Sequence, residues 1–354
     1  MKAKKLNILF STTRQWNPGD EFILMGCINL MKEITDFNPV IYNKNPQIRY
    51  VIGWKRKLIN RLFKSIFRFP LFSTFYDNSI KPDSRGEWID LVVFAGSPSW
   101  HGEPSRDLYD LIIKYNLPTI FLGIGLGQDI NIQKLKQYEL DVLKKALTIT
   151  VRDQKASNLL KEYHAIFKPC PALFSSTENR EIKQVNKIAL IFATHEGPID
   201  NRVSEKVSTY LKHLYLDLIK NSQFEFEIIC HYIDEMAEAK EQFKDHEIHY
   251  SFDSKDYLSI YKKYDFVIGS RVHGLGIAAS MGIPGVMISH DVRSDTVKGF
   301  LSSIISTNDS IEHNRSIIQN KIENVHQQSI KLLEHKKIHQ DFFNKTLTKV
   351  IPTS

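Results

Sequence analysis

Cysteine is scarce in this 354-residue chain: Cys27, Cys170 and Cys230 are its three, far apart and in no CxxC pair. That spacing supports neither a disulfide framework nor a zinc site, and it suits a reducing compartment. Long apolar runs are lacking, so the sequence offers no candidate membrane span. Met1-Lys2-Ala3-Lys4-Lys5 leads into a strand pattern and not into a signal-peptide core, so export is not expected. No Asp-x-Asp cluster or His-Glu-x-x-His pattern offers ligands to a metal, and no metal site is expected. A dinucleotide fingerprint is missing as well. The nearest approach, Gly123-Ile124-Gly125-Leu126-Gly127, has the wrong spacing and reads as a turn after a parallel strand. No recognition helix, zinc finger or aromatic RNA-binding signature accompanies the net charge of +7, so nucleic acid is not the expected partner. A small anionic substrate or an anionic membrane surface accounts for the charge equally well.

With 42% hydrophobic and 25% charged residues, the chain is globular and long enough for two cores. Short apolar runs at Leu6 to Phe10, Pro39 to Tyr42, Trp88 to Ala95, Pro118 to Gly123 and Thr148 to Val151 alternate with helical patterns, which predicts a mostly parallel α/β domain over 1–173. A polar stretch, 174–186, reads as a linker. The alternation resumes at Lys187 and predicts a second such domain over 187–300, with a polar helical tail and no strand signal over 301–354.

Lys55, Arg56, Lys57, Arg61, Lys64 and Arg68 occur without an acid among them, while Leu58, Ile59, Leu62, Phe63, Ile66 and Phe67 recur at helical spacing. That is a basic amphipathic helix, either docked on the protein with its basic face in solvent or resting on an anionic membrane.

Chemistry concentrates where predicted strands meet helices. Phe266-Val267-Ile268 is followed by Ser270, Arg271, Val272, His273 and Gly274, and then by a helical run of small apolar residues that Gly282 and Pro284 stop. A guanidinium and an imidazole therefore fall at the carboxyl edge of a parallel sheet and at a helix N-terminus, both favourable to an anion. The next strand ends in His290, Asp291, Arg293 and Asp295. Arg152 stands at a second such junction, after Thr148 to Val151. Asn17-Pro18-Gly19-Asp20 opens the first helix, with Asp20 as its expected N-cap.

Taken together, Ser270-Arg271-Val272-His273-Gly274 with the Gly282-Ile283-Pro284 turn, Ile149-Thr150-Val151-Arg152-Asp153, and Asn17-x-Gly19-Asp20 resemble the polysaccharide pyruvyl transferase family over most of residues 6–300. The resemblance implies two facing Rossmann-like domains in a GT-B-like arrangement, acceptor side first and donor side second. It implies phosphoenolpyruvate as donor, a sugar diol of a cell-surface polysaccharide or its lipid-linked precursor as acceptor, a pyruvate ketal as product, and no cofactor. Arg271, Arg152, Ser270 and Gly274 would bind the donor, and His273 and Asp20 would be the catalytic candidates. Asn17, Gly19, Ser97, Trp100 and His101 are candidates for the acceptor. Such an enzyme would work in exopolysaccharide or capsule synthesis in the cytoplasm, at the inner face of the membrane if the basic helix docks there. The chain departs from the family pattern at Ala95-Gly96-Ser97-Pro98-Ser99-Trp100, usually richer in glycine, and at Cys170-Pro171, where an acid is usual. A sugar-nucleotide glycosyltransferase of the same fold and a non-catalytic biosynthesis subunit remain as alternatives.

Overall fold

The computed structural model describes residues 5–13, 17–44, 61–62, 88–97, 100–126, 131–196 and 201–351. Its frame is two six-stranded, all-parallel sheets. The first contains β1 (Leu6–Thr12), β2 (Phe37–Asn43), β3 (Leu91–Ala95), β4 (Thr119–Ile124), β5 (Thr148–Val151) and β6 (Ile166–Phe167) in the order β2-β1-β3-β4-β5-β6. The second contains β7 (Lys187–Ile191), β8 (Glu225–Ile229), β9 (Ile248–His249), β10 (Phe266–Gly269), β11 (Gly285–Ser289) and β12 (Ser303–Ser306) in the order β12-β11-β10-β7-β8-β9. Every residue of β3, β4 and β10 is buried, as expected for strands covered by helices on both faces.

Each order reverses direction once, between β1 and β3 in the first sheet and between β7 and β10 in the second. At such a switch point the following loops diverge to opposite faces and leave a crevice at the carboxyl edge. The loops after β1, β3, β7 and β10 are therefore the natural walls of a site.

One apolar core joins the two sheets. It runs from Ile8 and Phe10 through Phe22, Leu30 and Leu173 to Ile188, Ile268 and Met287, and on to Phe343 and Leu347 of the last helix, Val325–Val350. Helix Pro18–Lys32 lies so close to the 171–174 segment that a Cβ on Gly26 would stand 1.7 Å from the Pro171 carbonyl oxygen. A second core, on the other face of the first sheet, holds Trp100, Tyr109 and the stacked pair Phe94 and Phe121, whose centroids are 4.4 Å apart.

The stretch expected to be a plain linker is tied down. Ser175 Oγ donates to Ser280 Oγ at 3.0 Å, and buried Lys336 donates to the Ser176 carbonyl at 2.9 Å and to Asn179 Oδ1 at 2.8 Å. The tail also departs from expectation, because Ser303–Ser306 pairs in register with β11 before helix Ile311–Glu323 begins. Only two apolar residues mark that edge strand, too few to show in a periodicity. The basic segment Lys55 to Arg68 lies outside the described residues except for Arg61 and Leu62, which are helical and exposed. Among the described residues no helix is long and apolar enough to cross a membrane.

Candidate active site

Loops from both switch points face each other across a cleft of about 530 Å³. Thr13, Asn17, Gly19, Asp20, Lys44, Ser97 and Arg152 line it from the first sheet; Asn201, His231, Tyr232, Ser270, Arg271, His273, His290, Asp291, Arg293 and Thr296 line it from the second. Four cationic side chains thus face two carboxylates, so the cleft favours an anion.

Two helix N-termini open on it. Asn17, and not Asp20, caps helix Pro18–Lys32: its Oδ1 accepts from the Gly19 N–H at 3.0 Å, and Pro18 fits the first turn because the missing N–H would have no partner there. The same oxygen accepts from the Tyr232 hydroxyl at 3.1 Å, joining the walls. Helix Val272–Ser280 has no side-chain cap, which leaves its first amide groups available to a ligand.

Arg152 and His273 meet across the cleft, with Nη1 of the arginine 3.2 Å from Nε2 of the histidine. A guanidinium can only donate, so Nε2 accepts and the neutral imidazole carries its proton on Nδ1. Burial, and then the Arg152 charge, hold His273 well below its ordinary range. An imidazole near its ordinary range could act as acid and base in turn. In this setting His273 is neutral at pH 7, with its one basic lone pair engaged by Arg152. Nδ1 faces the first helix so closely that a Cβ on Gly19 would lie 2.5 Å from it.

Arg152 takes no carboxylate partner within ion-pair distance among the described residues; its Nη1 also lies 3.7 Å from Cys170 Sγ. Burial pushes the Cys170 thiol up, so it stays neutral and the Arg152 charge remains available to the cleft. Gly125 gives that arginine room, since a Cβ there would sit 2.9 Å from its Nε.

Arg271 is held differently. Its Nη2 pairs with Glu235, its Nη1 donates to the Asn201 carbonyl, and its guanidinium lies 5.0 Å from the centre of the Tyr232 ring. The Glu235 charge keeps Arg271 protonated despite burial. Ser270 Oγ and Arg271 Nε are buried without a partner among the described residues. Beside the other wall, burial pushes the Asp20 carboxyl up, against the pull of Lys44 and Arg152, while burial lowers Lys44 to about 8. His231, buried and 2.8 Å from the Tyr261 hydroxyl, is lowered to about 3 by burial and by the Arg271 charge.

The cleft therefore brings together Asn17, Gly19, Asp20, Ser97, Arg152, Ser270, Arg271 and His273 from the sequence-based set. Gly274, Trp100 and His101 are not among its lining residues. A Cβ on Gly274 would meet Ile191 and the Tyr261 hydroxyl, so this glycine serves helix packing. Trp100 is fully buried and its indole N–H donates to the Gly125 carbonyl at 2.9 Å, with His101 edge-on against it. Lys44, His231, Tyr232 and Glu235 were not foreseen. Lys44 follows β2 at its carboxyl end, and that position was its one signal.

A family model for polysaccharide pyruvyl transferase matches residues 17–292, a span that contains the cleft residues named above except Thr13, Arg293 and Thr296. The chain belongs to the polysaccharide pyruvyl transferase family. No curated protein sequence matches it. Among solved structures it is similar to a UDP-GlcNAc 2-epimerase from Neisseria meningitidis bound to UDP-GlcNAc, at 14% identity and a TM-score of 0.55, covering 97% of this chain and 100% of that one. An alpha-glucosyltransferase in complex with UDP and DNA aligns at 11% identity and a TM-score of 0.53, over 99% of this chain and 100% of that one. At these identities the likeness is one of fold, and it makes this pyruvyl transferase family member GT-B-like.

Proposed function

We propose that the cleft transfers pyruvate from phosphoenolpyruvate to two hydroxyls of a sugar in a cell-surface polysaccharide or its precursor, forming a cyclic ketal and releasing phosphate. The observation that carries this is the Arg152–His273 contact across a cationic cleft, with Arg271 and an uncapped helix N-terminus beside it. Phosphoenolpyruvate has a carboxylate and a phosphate, and guanidinium groups suit both.

The enol methylene carbon takes a proton, and the first sugar hydroxyl adds to the central carbon and gives up its own. Phosphate then leaves with the electron pair of its C–O bond, and the second hydroxyl closes the ring. Of the two hydroxyl protons, one ends on the new methyl group and the other on phosphate. His273, neutral, serves as the base toward a hydroxyl through the Nε2 lone pair, which Arg152 occupies here and frees when its Nη1 turns to the donor's anionic groups. Asp20, whose carboxyl burial raises, and Lys44 at about 8 supply the acid on the opposite wall. Nothing in this scheme requires a cofactor.

Thermal shift with phosphoenolpyruvate, set beside UDP-sugars, tests the donor, and phosphate release in the presence of the source organism's repeat-unit sugars tests the reaction. Stabilisation by phosphoenolpyruvate with sugar-dependent phosphate release is the expected result. Stabilisation by a UDP-sugar alone would overturn it in favour of glycosyl transfer.

A further inference from the structure

We infer that Glu235 is a positioning residue for the donor: it holds Arg271 in the orientation that binds the anion and sets the turn bearing Tyr232, which bridges to the facing wall. The inference rests on Arg271 being a donor ligand, as proposed above.

Glu235 has a fully buried side chain and does not line the cleft, so it acts through others. One carboxylate oxygen takes Nη2 of Arg271. The other accepts two backbone N–H groups, from His231 at 2.8 Å and from Tyr232 at 3.1 Å. Both oxygens are thus committed, and the residue is fixed from two directions.

The consequence for Arg271 follows from the geometry of a guanidinium. Glu235 and the Asn201 carbonyl take one N–H from each terminal nitrogen. One N–H on each remains, in a plane those two acceptors define. A buried arginine without a carboxylate would carry an uncompensated charge and would turn toward solvent or into the cleft. The same carboxylate organises the turn bearing Tyr232, whose hydroxyl reaches Asn17 on the opposite wall. One acid outside the cleft therefore sets the guanidinium and one cross-cleft bridge together.

A purely structural ion pair would predict loss of stability and nothing more, so the test separates the two. Glu235→Gln retains the side chain's size and can still accept the two backbone N–H groups, but it presents an amide where Arg271 needs an anion. Glu235→Asp retains the charge on a shorter stem. Calorimetry should show that Glu235→Gln weakens phosphoenolpyruvate binding roughly 10- to 100-fold, the range of a lost charged hydrogen bond. In phosphate release KM should rise more than kcat falls, and Glu235→Asp should recover part of the loss. A donor-free double-mutant cycle on unfolding, with Glu235→Gln and Arg271→Gln, should show the two residues coupled. Undiminished binding in a folded Glu235→Gln variant removes this proposal alone. No phosphoenolpyruvate binding by the native chain removes the donor assignment and this proposal with it. No coupling in the cycle shows that Glu235 does not hold Arg271.

Discussion

Nη1 of Arg152 and Nε2 of His273 lie 3.2 Å apart although 121 residues separate them in the chain. The arginine follows β5 of the first sheet and the histidine follows β10 of the second, so this contact exists only when both sheets are in place. It joins the proposed donor-binding charge to the proposed base, and each should be felt in the other's chemistry.

Replacing Arg152 by Met should weaken phosphoenolpyruvate binding by about 1.5–3 kcal/mol, the scale of a hydrogen bond to a charged group. It should also raise the His273 pKa, because the Arg152 charge is the second cause of its depression. Calorimetry reads the first effect and imidazole proton chemical shifts read the second. Unchanged donor affinity with an unmoved histidine titration would show that the contact is incidental.

His273→Gln should reduce turnover by about 10²–10⁴, the usual contribution of a positioned acid or base, with the melting temperature nearly unchanged. If activity per folded molecule survives while stability falls, His273 is a packing residue.

Gly19→Ala separates geometry from charge. A Cβ there would press on His273 Nδ1 at 2.5 Å, so the ring must shift although no charge is altered. Displacement of a reacting group by about 1 Å can cost 10²-fold. Turnover should fall on that scale while circular dichroism stays native. A fully active alanine variant would place the working position of His273 away from Gly19.

Acid should destabilise the fold through His231. Its folded value, about 3, lies below the ordinary one, so the unfolded chain takes the proton first. The stability is therefore present above about pH 6.5 and is lost as pH falls toward the folded value. Between pH 7 and pH 5 this one group should remove about 2 kcal/mol, to order of magnitude. Urea unfolding at the two pH values should give a correspondingly smaller difference for His231→Gln. An identical difference in the variant would rule the group out as its source.

If the Lys55 to Arg68 segment docks on lipid, each cation near an anionic surface contributes roughly 1 kcal/mol. Co-sedimentation should then require anionic vesicles, weaken with salt, and fall when Arg61, Lys64 and Arg68 become Gln. Equal binding to neutral vesicles, or no loss in the variant, would make the segment an ordinary surface element.

The strand-turn-helix at Ser270 to His273 was legible because a fully buried strand, a polar turn and a small-residue helix each leave a distinct pattern. Arg152 was legible for the same reason. Glu235 was not: in sequence it sits in a stretch with helical periodicity, and only folding brings Arg271 to it across 36 residues. Lys44 resembles any lysine after a strand until the chain buries it. Trp100 misled in the opposite sense, since an aromatic ring in a glycine-containing loop suggests a sugar platform, whereas here the ring fills the core behind β4.

The apolar core that runs unbroken from the first sheet into the second bears on how the protein can move. Two domains joined by a thin, wet hinge can swing apart around a ligand, but here parting the walls would expose Phe22, Leu173 and Ile277, all fully buried, to water. Each such side chain costs about 1.5–3 kcal/mol to expose. Wide parting of the walls is therefore costly, which favours admission and release of ligands by the turning of side chains and loops at the cleft's mouth.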